Sequence, residues 1–206
     1  MASSSRLNVG SVLVIGGGIS GIQCALDLAD NGFFVYLLEK SHSLGGTMAR
    51  LDKTFPTNDC STCMFSPKLV QVAANPNIEI LTLSRLRELH GEPGNFKACI
   101  EKLPRYINPE KCIACGQCAD KCPKKVSNPF NENLDGRKAA FLTFPQAVPL
   151  KYAIDPDHCI YLNKGKCGLC KKICPADAVE FDQKSGFVDI QVGAVVLSTG
   201  FELALT

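Results

Sequence analysis

The chain of 206 residues has no apolar run that approaches the roughly 18 consecutive residues needed to cross a bilayer. Its N-terminal segment, Met1 to Asn8, is polar and rich in serine, and it lacks the apolar core of a signal peptide. Neither sign of charge is in large excess, since the formal net charge is +2 and the basic residues are scattered. We therefore expect a cytoplasmic protein without a transmembrane segment, and nothing in the charge pattern indicates nucleic-acid binding.

Cysteine, by contrast, is abundant, with 12 residues in the chain. In a secreted protein such a count would indicate disulfides, but this sequence shows no signal peptide and its cysteine spacing is unlike a disulfide framework. Eight of the twelve fall into two dense runs. This pattern indicates metal binding in a reducing compartment.

The first forty residues predict a βαβ unit of a parallel sheet. Val12–Ile15 is a continuous apolar run, as expected for a strand buried on both faces. A helix follows and ends at Asn31–Gly32, and Phe33–Leu38 forms a second strand that leads into Glu39. The predicted buried face of the helix consists of Ile22, Ala25, Leu26 and Ala29.

A dinucleotide site is predicted between this strand and helix, where the sequence fits G-x-G-x-x-G. Gly16 permits the tight turn, Gly18 allows the backbone to approach a pyrophosphate, and Gly21 allows helix and strand to pack closely. Glu39 is expected to accept hydrogen bonds from ribose hydroxyls, which disfavours NADP. A glycine turn without a ligand is disfavoured because four features agree, but these residues leave FAD and NAD open.

Two further stretches favour FAD by resemblance. Leu44–Thr47 and Val195–Gly200 are similar to elements of the glutathione-reductase-like flavoproteins, in which the later strand ends in a Thr-Gly turn near the flavin. The resemblance adds Lys40, Gly46, Thr199 and Gly200 to the predicted cofactor-binding residues. The third element of that family, a late Gly-Asp pair, has no match in this chain.

The two cysteine runs predict two [4Fe–4S] clusters. The first run is C-x2-C-x2-C-x3-C-P, and the second differs only in a longer first gap. Three cysteines on one tight loop reach three irons, and in two-cluster ferredoxins the fourth ligand comes from the other run. Zinc is disfavoured because this duplicated spacing is not that of a zinc ribbon. The predicted ligands are Cys112, Cys115, Cys118 and Cys174 for cluster 1, and Cys159, Cys167, Cys170 and Cys122 for cluster 2.

Domain boundaries follow from a change of character near residue 104. Beyond it, cysteine, proline and lysine replace periodic apolar patterns, so we expect metal to supply the folding energy. A buried strand returns at Ala194–Leu197. We therefore predict an α/β Rossmann-like FAD-binding domain over residues 9–103 and 181–206, with a bacterial ferredoxin-type domain inserted at 104–180. Within the first part, Ser66–Pro67 predicts the start of a helix, and residues 78–83 and 96–101 predict strands.

Four cysteines remain outside the two runs. Cys60 and Cys63 lie just before the predicted helix start, where a thiol pKa is lowered. Three interpretations stay open for this pair: a redox dithiol, ligands of a further cluster, or structural thiols. We assign the pair a catalytic role, as redox or cluster thiols, and we expect Cys24 and Cys99 to be packed or half-exposed residues.

At this point the sequence resembles one family, the HdrA subunits of heterodisulfide reductase. The residues that carry the resemblance are Gly16–Gly21, Thr57–Cys63, Ser66–Leu69, Gly91–Phe96 and Phe144–Pro149. The resemblance implies an FAD-containing electron-transfer subunit of anaerobes, with other redox subunits of a heterodisulfide-reductase-like or hydrogenase/dehydrogenase complex as partners. In such complexes the flavin can split an electron pair between two acceptors. Known members are much longer, so we expect a fragment or a chain completed by another.

Two alternatives remain open. The first is an electron-relay module whose nucleotide fold no longer binds FAD, which the missing Gly-Asp pair motivates. The second is a dithiol/disulfide reductase that uses Cys60 and Cys63. A flavin spectrum of anaerobically purified protein separates the first alternative from the leading hypothesis.

Overall fold

The computed structural model describes residues 10–201. The polar segment 1–8 and the final residues of the third predicted segment, 202–206, lie outside the described residues. The described chain forms two compact units. The nucleotide unit comprises the residues up to Lys102 and those from Gly186 onward, and the cysteine unit comprises Leu103–Ser185.

The helices and strands are numbered in chain order. The nucleotide unit begins with β1 (Ser11–Ile15), α1 (Ile19–Asp30), β2 (Phe34–Leu38), α2 (Ser61–Ala74), β3 (Ile78–Leu81), β4 (Ser84–Glu92) and β5 (Asn95–Lys102). The cysteine unit contains α3 (Gln117–Asp120), β6 (Lys125–Ser127), β7 (Gly136–Lys138), β8 (Ala140–Phe141), β9 (Ala153–Ile154), α4 (Ile160–Lys164) and α5 (Leu169–Ile173). The nucleotide unit resumes with β10 (Gly186–Val192) and β11 (Ala194–Leu197).

A parallel sheet in the order β11-β1-β2-β3 forms the centre of the nucleotide unit. Its central strand β1 is apolar because both faces are covered, and Leu13 and Val14 are fully buried there. The prediction of a βαβ unit is confirmed: α1 connects β1 and β2, buries the apolar face that was expected, and ends at Asp30, with Asn31 as its C-cap.

A second, antiparallel sheet in the order β10-β5-β4 packs against one face of the parallel sheet. The shared core joins Leu13 and Leu38 of the parallel sheet to Ala98, Ile100 and Ile190 of the antiparallel one. Val12 and Val14 point to the opposite face, because successive strand residues alternate. Helices α1 and α2 pack together in this unit, and α1 contacts β1, β2 and β3.

Two expectations differ from the structure, and among the long strands β4 and β10 were not predicted. Helix α2 begins at Ser61, and Pro67 lies inside it, because the side chain of Cys60 caps the helix six residues before the predicted N-cap, Ser66. Strand β11 is confirmed in position but lies at the edge of its sheet, where Leu197 is 72% exposed instead of buried. Strand β4 was not predicted, because a register shift after Leu86 and its largely exposed residues obscure the alternating pattern.

The cysteine unit has only short elements, with the two-stranded sheets β6–β7 and β8–β9. Its buried cluster is small and includes Cys112, Cys118 and Cys159 beside residues such as Ile107 and Ile154. The prediction that this stretch builds no core of ordinary size agrees with this composition. No helix in residues 10–201 has the length and apolar character needed to span a membrane.

Candidate functional site

The glycine turn after β1 is constrained by direct backbone contacts. Gly16 has φ +113°, and its N–H donates to the Leu38 carbonyl oxygen at 2.8 Å. A Cβ at Gly16 would collide with the carbonyl oxygen of Ser198, and one at Gly21 would collide with that of Gly16. Only glycine fits these two positions. Without side chains there, the carboxyl ends of β1 and β11 lie close to the N-terminus of α1.

A second glycine pair lies against the first turn. The Gly45 N–H donates to the Gly17 carbonyl oxygen at 2.8 Å. A Cβ at Gly46, where φ is +57°, would lie 2.9 Å from the Gly18 Cα. Gly18 is the N-cap residue of α1, and no described side chain caps that helix. The N-terminus of this 12-residue helix therefore presents backbone N–H groups and a partial positive charge beside two glycine turns.

The carboxylate of Glu39 is buried beside the glycine turn. Its Oε2 accepts the Gly17 N–H at 2.7 Å, and its Oε1 accepts the Ser41 N–H at 2.8 Å. Each carboxylate oxygen can accept a further hydrogen bond from a hydroxyl group. The position is compatible with the predicted ribose contact, although both oxygens already hold the local backbone.

The remaining predicted cofactor residues lie at the same end of the sheet. The Ser198 N–H donates to the Ile15 carbonyl oxygen at 2.7 Å, which places the turn through Thr199 and Gly200 after β11, next to β1. Lys40 is exposed and directly follows Glu39 at the end of β2. The carboxyl ends of parallel strands are where open α/β sheets bind their ligands.

The eight predicted cluster cysteines line two separate cavities within the cysteine unit. One cavity is lined by Cys122, Cys159, Cys167 and Cys170, and the other by Cys112, Cys115, Cys118 and Cys174. Their empty volumes are nearly equal, at about 340 and 320 Å³. Each cavity therefore combines three cysteines of one run with one cysteine of the other, in the same sets as the predicted crossover.

Both cavities share a local design. Gly116 and Gly168 occupy equivalent places in the two runs, have positive φ, and precede helices α3 and α5. A Cβ at Gly116 would lie 3.1 Å from the Tyr152 hydroxyl oxygen, and one at Gly168 would lie 3.5 Å from the Tyr161 ring. A tight left-handed turn under an aromatic ring thus shapes each cysteine loop.

The thiols of each cavity are close enough to influence one another. Burial, followed by the neighbouring Cys112 thiol, raises the pKa of Cys118 to about 12. Burial, followed by Cys159 and then Cys122, raises the pKa of Cys170 to about 11. Metal binding requires thiolates, so it would release protons here. Within residues 10–201, no three Cys, His, Asp or Glu side chains converge at single-ion distances.

Three cationic residues around the cavities were not predicted. Arg105 is only 7% exposed, donates from Nη1 to the Lys151 carbonyl oxygen at 3.3 Å, and has a pKa lowered to about 10 by burial. Lys138 and Lys151 contact main-chain atoms of the first cysteine run. No local pattern in the sequence distinguishes these three residues from surface cations.

Cys60 and Cys63 form a disulfide at the start of α2, with their Cα atoms 5.2 Å apart. The Cys60 Sγ accepts the Cys63 N–H at 3.2 Å. Both residues are exposed. Cys24 and Cys99 are half-exposed, as predicted, and burial raises the pKa of each.

Comparison with known proteins gives a match at each of the two sites. A model of FAD dependent oxidoreductases matches residues 11–62, and a model of 4Fe-4S binding domains matches residues 105–126. A CoB--CoM heterodisulfide reductase iron-sulfur subunit (HdrA) of Methanopyrus kandleri is 53% identical over 190 residues, which is 92% of this chain and 28% of that protein. The corresponding protein of Methanocaldococcus jannaschii is 48% identical over 192 residues, or 93% of this chain and 28% of the relative. By sequence, nearly the whole chain is similar to part of these HdrA proteins.

The chain spans about 28% of the length of these HdrA relatives. The first family match contains the glycine turn and Glu39, and the second contains the whole first cysteine run. Together they identify FAD and [4Fe–4S] as the cofactors. Among solved structures, L-proline dehydrogenase from P. horikoshii matches 45% of this chain and 19% of its own, with 26% identity and a TM-score of 0.40.

Proposed function

We propose that this chain forms the flavin- and cluster-bearing part of a heterodisulfide-reductase-like protein, which passes electrons between FAD and two [4Fe–4S] clusters. The observation that carries the proposal is the pair of four-cysteine cavities, each of which takes one cysteine from the other run. One thiolate per iron, arranged around a shared cavity, is the donor set that such a cluster requires. The cysteines named for clusters 1 and 2 are the proposed ligands.

The donor set suits iron–sulfur clusters in a second respect. Apart from its cysteines, the cluster 1 cavity is lined by apolar side chains, Gly116 and Tyr152. Such surroundings offer few other donor atoms and leave the thiols as the available ligands. The cluster 2 cavity has the same four-cysteine character, which supports a count of two clusters.

The glycine turn suits the ADP part of FAD. Gly16 and Gly21 have no room for a side chain, and Gly18 opens the N-terminus of α1 toward a pyrophosphate. Glu39 would accept a hydrogen bond from a ribose hydroxyl. The other proposed cofactor residues lie at the same end of the parallel sheet: Lys40, Gly46, Thr199 and Gly200. When bound, FAD supplies exchange of one or two electrons, whereas a cluster takes one electron at a time.

The finer architecture is part of the same proposal. The parallel sheet with α1 between β1 and β2, together with the packed antiparallel sheet, supports a Rossmann-like FAD-binding domain of the thioredoxin/glutathione-reductase type. The position of the cysteine unit at Leu103–Ser185 supports a ferredoxin-type insertion and the predicted domains 9–103, 104–180 and 181–206. Redox partner subunits, a cytoplasmic location and electron bifurcation remain predictions from the family resemblance and the cysteine usage.

The decisive experiment is anaerobic purification of the chain with iron, sulfide, zinc and flavin counted. We expect about eight irons, about eight sulfides and one FAD per chain. Stoichiometric zinc without iron would refute the cluster assignment. Eight irons without flavin, even after incubation with excess FAD, would favour the relay module.

The Cys60–Cys63 disulfide supports a second candidate function, a thiol–disulfide couple. Its reduction takes two electrons and two protons and yields two thiols, and the proposed flavin is a suitable two-electron source. The Cys60 Sγ at the helix N-terminus already accepts an N–H, an arrangement that stabilises a thiolate. After reduction, Cys60 should react with iodoacetamide faster than Cys24 or Cys99. If the double serine variant instead loses iron in an assembled complex, the pair ligates a further cluster, and if it changes nothing, the pair is structural.

A further inference from the structure

Two lysines from the connection between the cysteine runs bind opposite ends of the first run. The Lys138 Nζ donates to the Cys122 carbonyl oxygen at 2.6 Å. The Lys151 Nζ donates to the Cys112 carbonyl oxygen at 2.6 Å. Since Cys122 lines one cavity and Cys112 the other, each cavity has one lysine ammonium at the main chain of one of its cysteines.

The main chain holds both lysines in place. Lys138 is the last residue of strand β7, which pairs with β6. The N–H of Ala139, which follows it, donates to the Lys124 carbonyl oxygen at 3.0 Å. The Lys151 N–H donates to the Pro149 carbonyl oxygen at 2.8 Å, and its carbonyl oxygen accepts a bond from Arg105. Both lysine side chains are half-buried. Their ammonium groups therefore occupy fixed positions, unlike those of exposed lysines.

The nearby charges leave both ammonium groups uncompensated. Asp155 is the buried carboxylate of this region, but its Oδ2 pairs with Arg137 at 2.6 Å and with His158 at 3.1 Å. Within the described part of the chain, neither Lys138 nor Lys151 forms an ion pair with a carboxylate. Each cavity thus has one lysine ammonium beside it that no carboxylate of the described residues pairs with.

We propose that the ammonium groups of Lys138 and Lys151 raise the reduction potentials of the two clusters. Lys138 acts on cluster 2 and Lys151 acts on cluster 1. The inference rests on the proposed function, because it requires clusters in both cavities. Adding an electron makes a cluster more negative, and a fixed cation nearby stabilises that form more than the oxidised one. The screening by water is weaker for half-buried groups than for exposed lysines, so the effect should be measurable.

The test is a redox titration of each cluster, followed by electron paramagnetic resonance, in the anaerobically purified full chain. Signals are first assigned with Cys115→Ser for cluster 1 and Cys167→Ser for cluster 2. Lys138→Gln keeps a hydrogen-bond donor but removes the charge, and it should lower the midpoint potential of cluster 2 alone. Lys151→Gln should lower that of cluster 1 alone. Lys138→Arg and Lys151→Arg retain the charge, so each should keep the midpoint potential of its cluster close to the wild-type value.

Each variant is the control for the other, and exposed Lys184→Gln controls for loss of one charge elsewhere in the unit. Unchanged potentials in both glutamine variants, with eight irons retained, would refute the inference while leaving the proposed function intact. Equal shifts of both clusters in every variant, Lys184→Gln included, would also refute it, because they would reflect net charge only. Wild-type protein without two titrating clusters would refute the proposed function itself. If a glutamine variant loses iron, Lys→Met at that position is the second uncharged variant and Lys→Arg is its charged reference. A methionine variant that keeps its cluster at the potential of the arginine variant would refute the inference, and a lower potential in the methionine variant would support it.

Discussion

The nucleotide unit and the cysteine unit prepare their candidate sites by different physical means. In the nucleotide unit the site consists mainly of main-chain atoms beside the Glu39 carboxylate, and its defining residues, Gly16 and Gly21, act by having no side chain. In the cysteine unit the site consists of eight side-chain thiols that line two cavities. A main-chain site depends on the accuracy of the surrounding fold, whereas a thiol site can itself hold the fold together once metal is bound.

The two cores differ accordingly. The parallel sheet is packed with leucine, isoleucine and valine, several of them with no exposed surface. The core of the cysteine unit contains Cys112, Cys118 and Cys159, which would be drawn away from apolar packing as thiolate ligands. Burial raises the pKa of the Cys118 thiol to about 12, and the same burial opposes ionisation of the thiol when no metal is bound to its sulfur. The nucleotide unit should therefore be stable by itself, and the cysteine unit should depend on its clusters.

Removal of the clusters is the strongest way to test this comparison. Anaerobic treatment with an iron chelator should abolish hydrogen-exchange protection across residues 103–185, because the small core cannot replace the lost metal ligation. Protection in β1, β2 and β3 should persist. Hydrogen exchange followed by mass spectrometry measures both regions in one sample. Equal loss of protection in the two units would show that they unfold together and would break the comparison.

The converse change targets the main-chain site. Gly21→Val places a side chain where even a Cβ would collide with the Gly16 carbonyl oxygen. We expect loss of nearly all bound FAD with all iron retained, since a side chain at this contact displaces the turn itself. Flavin absorbance and iron content are measured on the same preparation. Gly186→Ala is the matched control, because nothing lies within 4 Å of its added Cβ, and normal FAD content in Gly21→Val would remove the turn from the site.

Single ligand changes sharpen the account of the cysteine unit. Cys122→Ser should damage the cluster held by Cys159, Cys167 and Cys170, and leave the other cluster intact. Cys174→Ser should do the reverse. Electron paramagnetic resonance of the reduced variants distinguishes the two outcomes. Loss of the cluster within the same run as the altered cysteine would contradict the crossover that the cavity linings support.

The two units also differed in how far their structures could be predicted from sequence. The apolar run at Val12–Ile15 and the helical spacing of α1 depend on local patterns, so their positions were predicted correctly. The start of α2 was wrong because Ser66–Pro67 matches a helix start as well as Cys60 does, and only the folded chain shows which residue caps the helix. The two sets of cysteines that line the cavities are the sets that the spacing of the cysteines in the sequence predicts. The contacts of Lys138, Lys151 and Arg105 could not be predicted, because they join residues far apart in the chain.

A smaller effect is expected from Glu39→Gln. The change preserves the side-chain size and removes the charge that would bind ribose hydroxyls, and it replaces one of the two oxygens that accept the Gly17 and Ser41 N–H groups by an amide donor. Loss of one charged hydrogen bond should weaken FAD binding by about 1.5–3 kcal/mol. The affinity is measured by reconstituting flavin-depleted protein at limiting FAD. Exposed Glu79→Gln on β3 is a control for the loss of charge, and equal FAD affinities in both variants would exclude Glu39 from the site.

The smallest effect concerns pH and the partly exposed Glu180, which joins distant parts of the cysteine unit. Hydrogen bonds from Gln183, Asn108 and Lys111 lower the pKa of Glu180 from 4.5 to about 2. Because the pKa is lower in the folded protein, its contribution is fully present above pH 4.5 and is lost as the pH falls toward 2. Glu180→Gln should therefore destabilise the cysteine unit slightly at pH 7, and the difference in stability from wild type should narrow as the pH falls below 4.5.

Denaturant unfolding of both proteins, with cluster absorbance followed at each pH, measures that difference in stability. Because Lys111 is exposed and Glu180 is partly exposed, 0.5 M salt should reduce the difference in stability at pH 7. A difference that is independent of both pH and salt would show that packing and not charge is responsible.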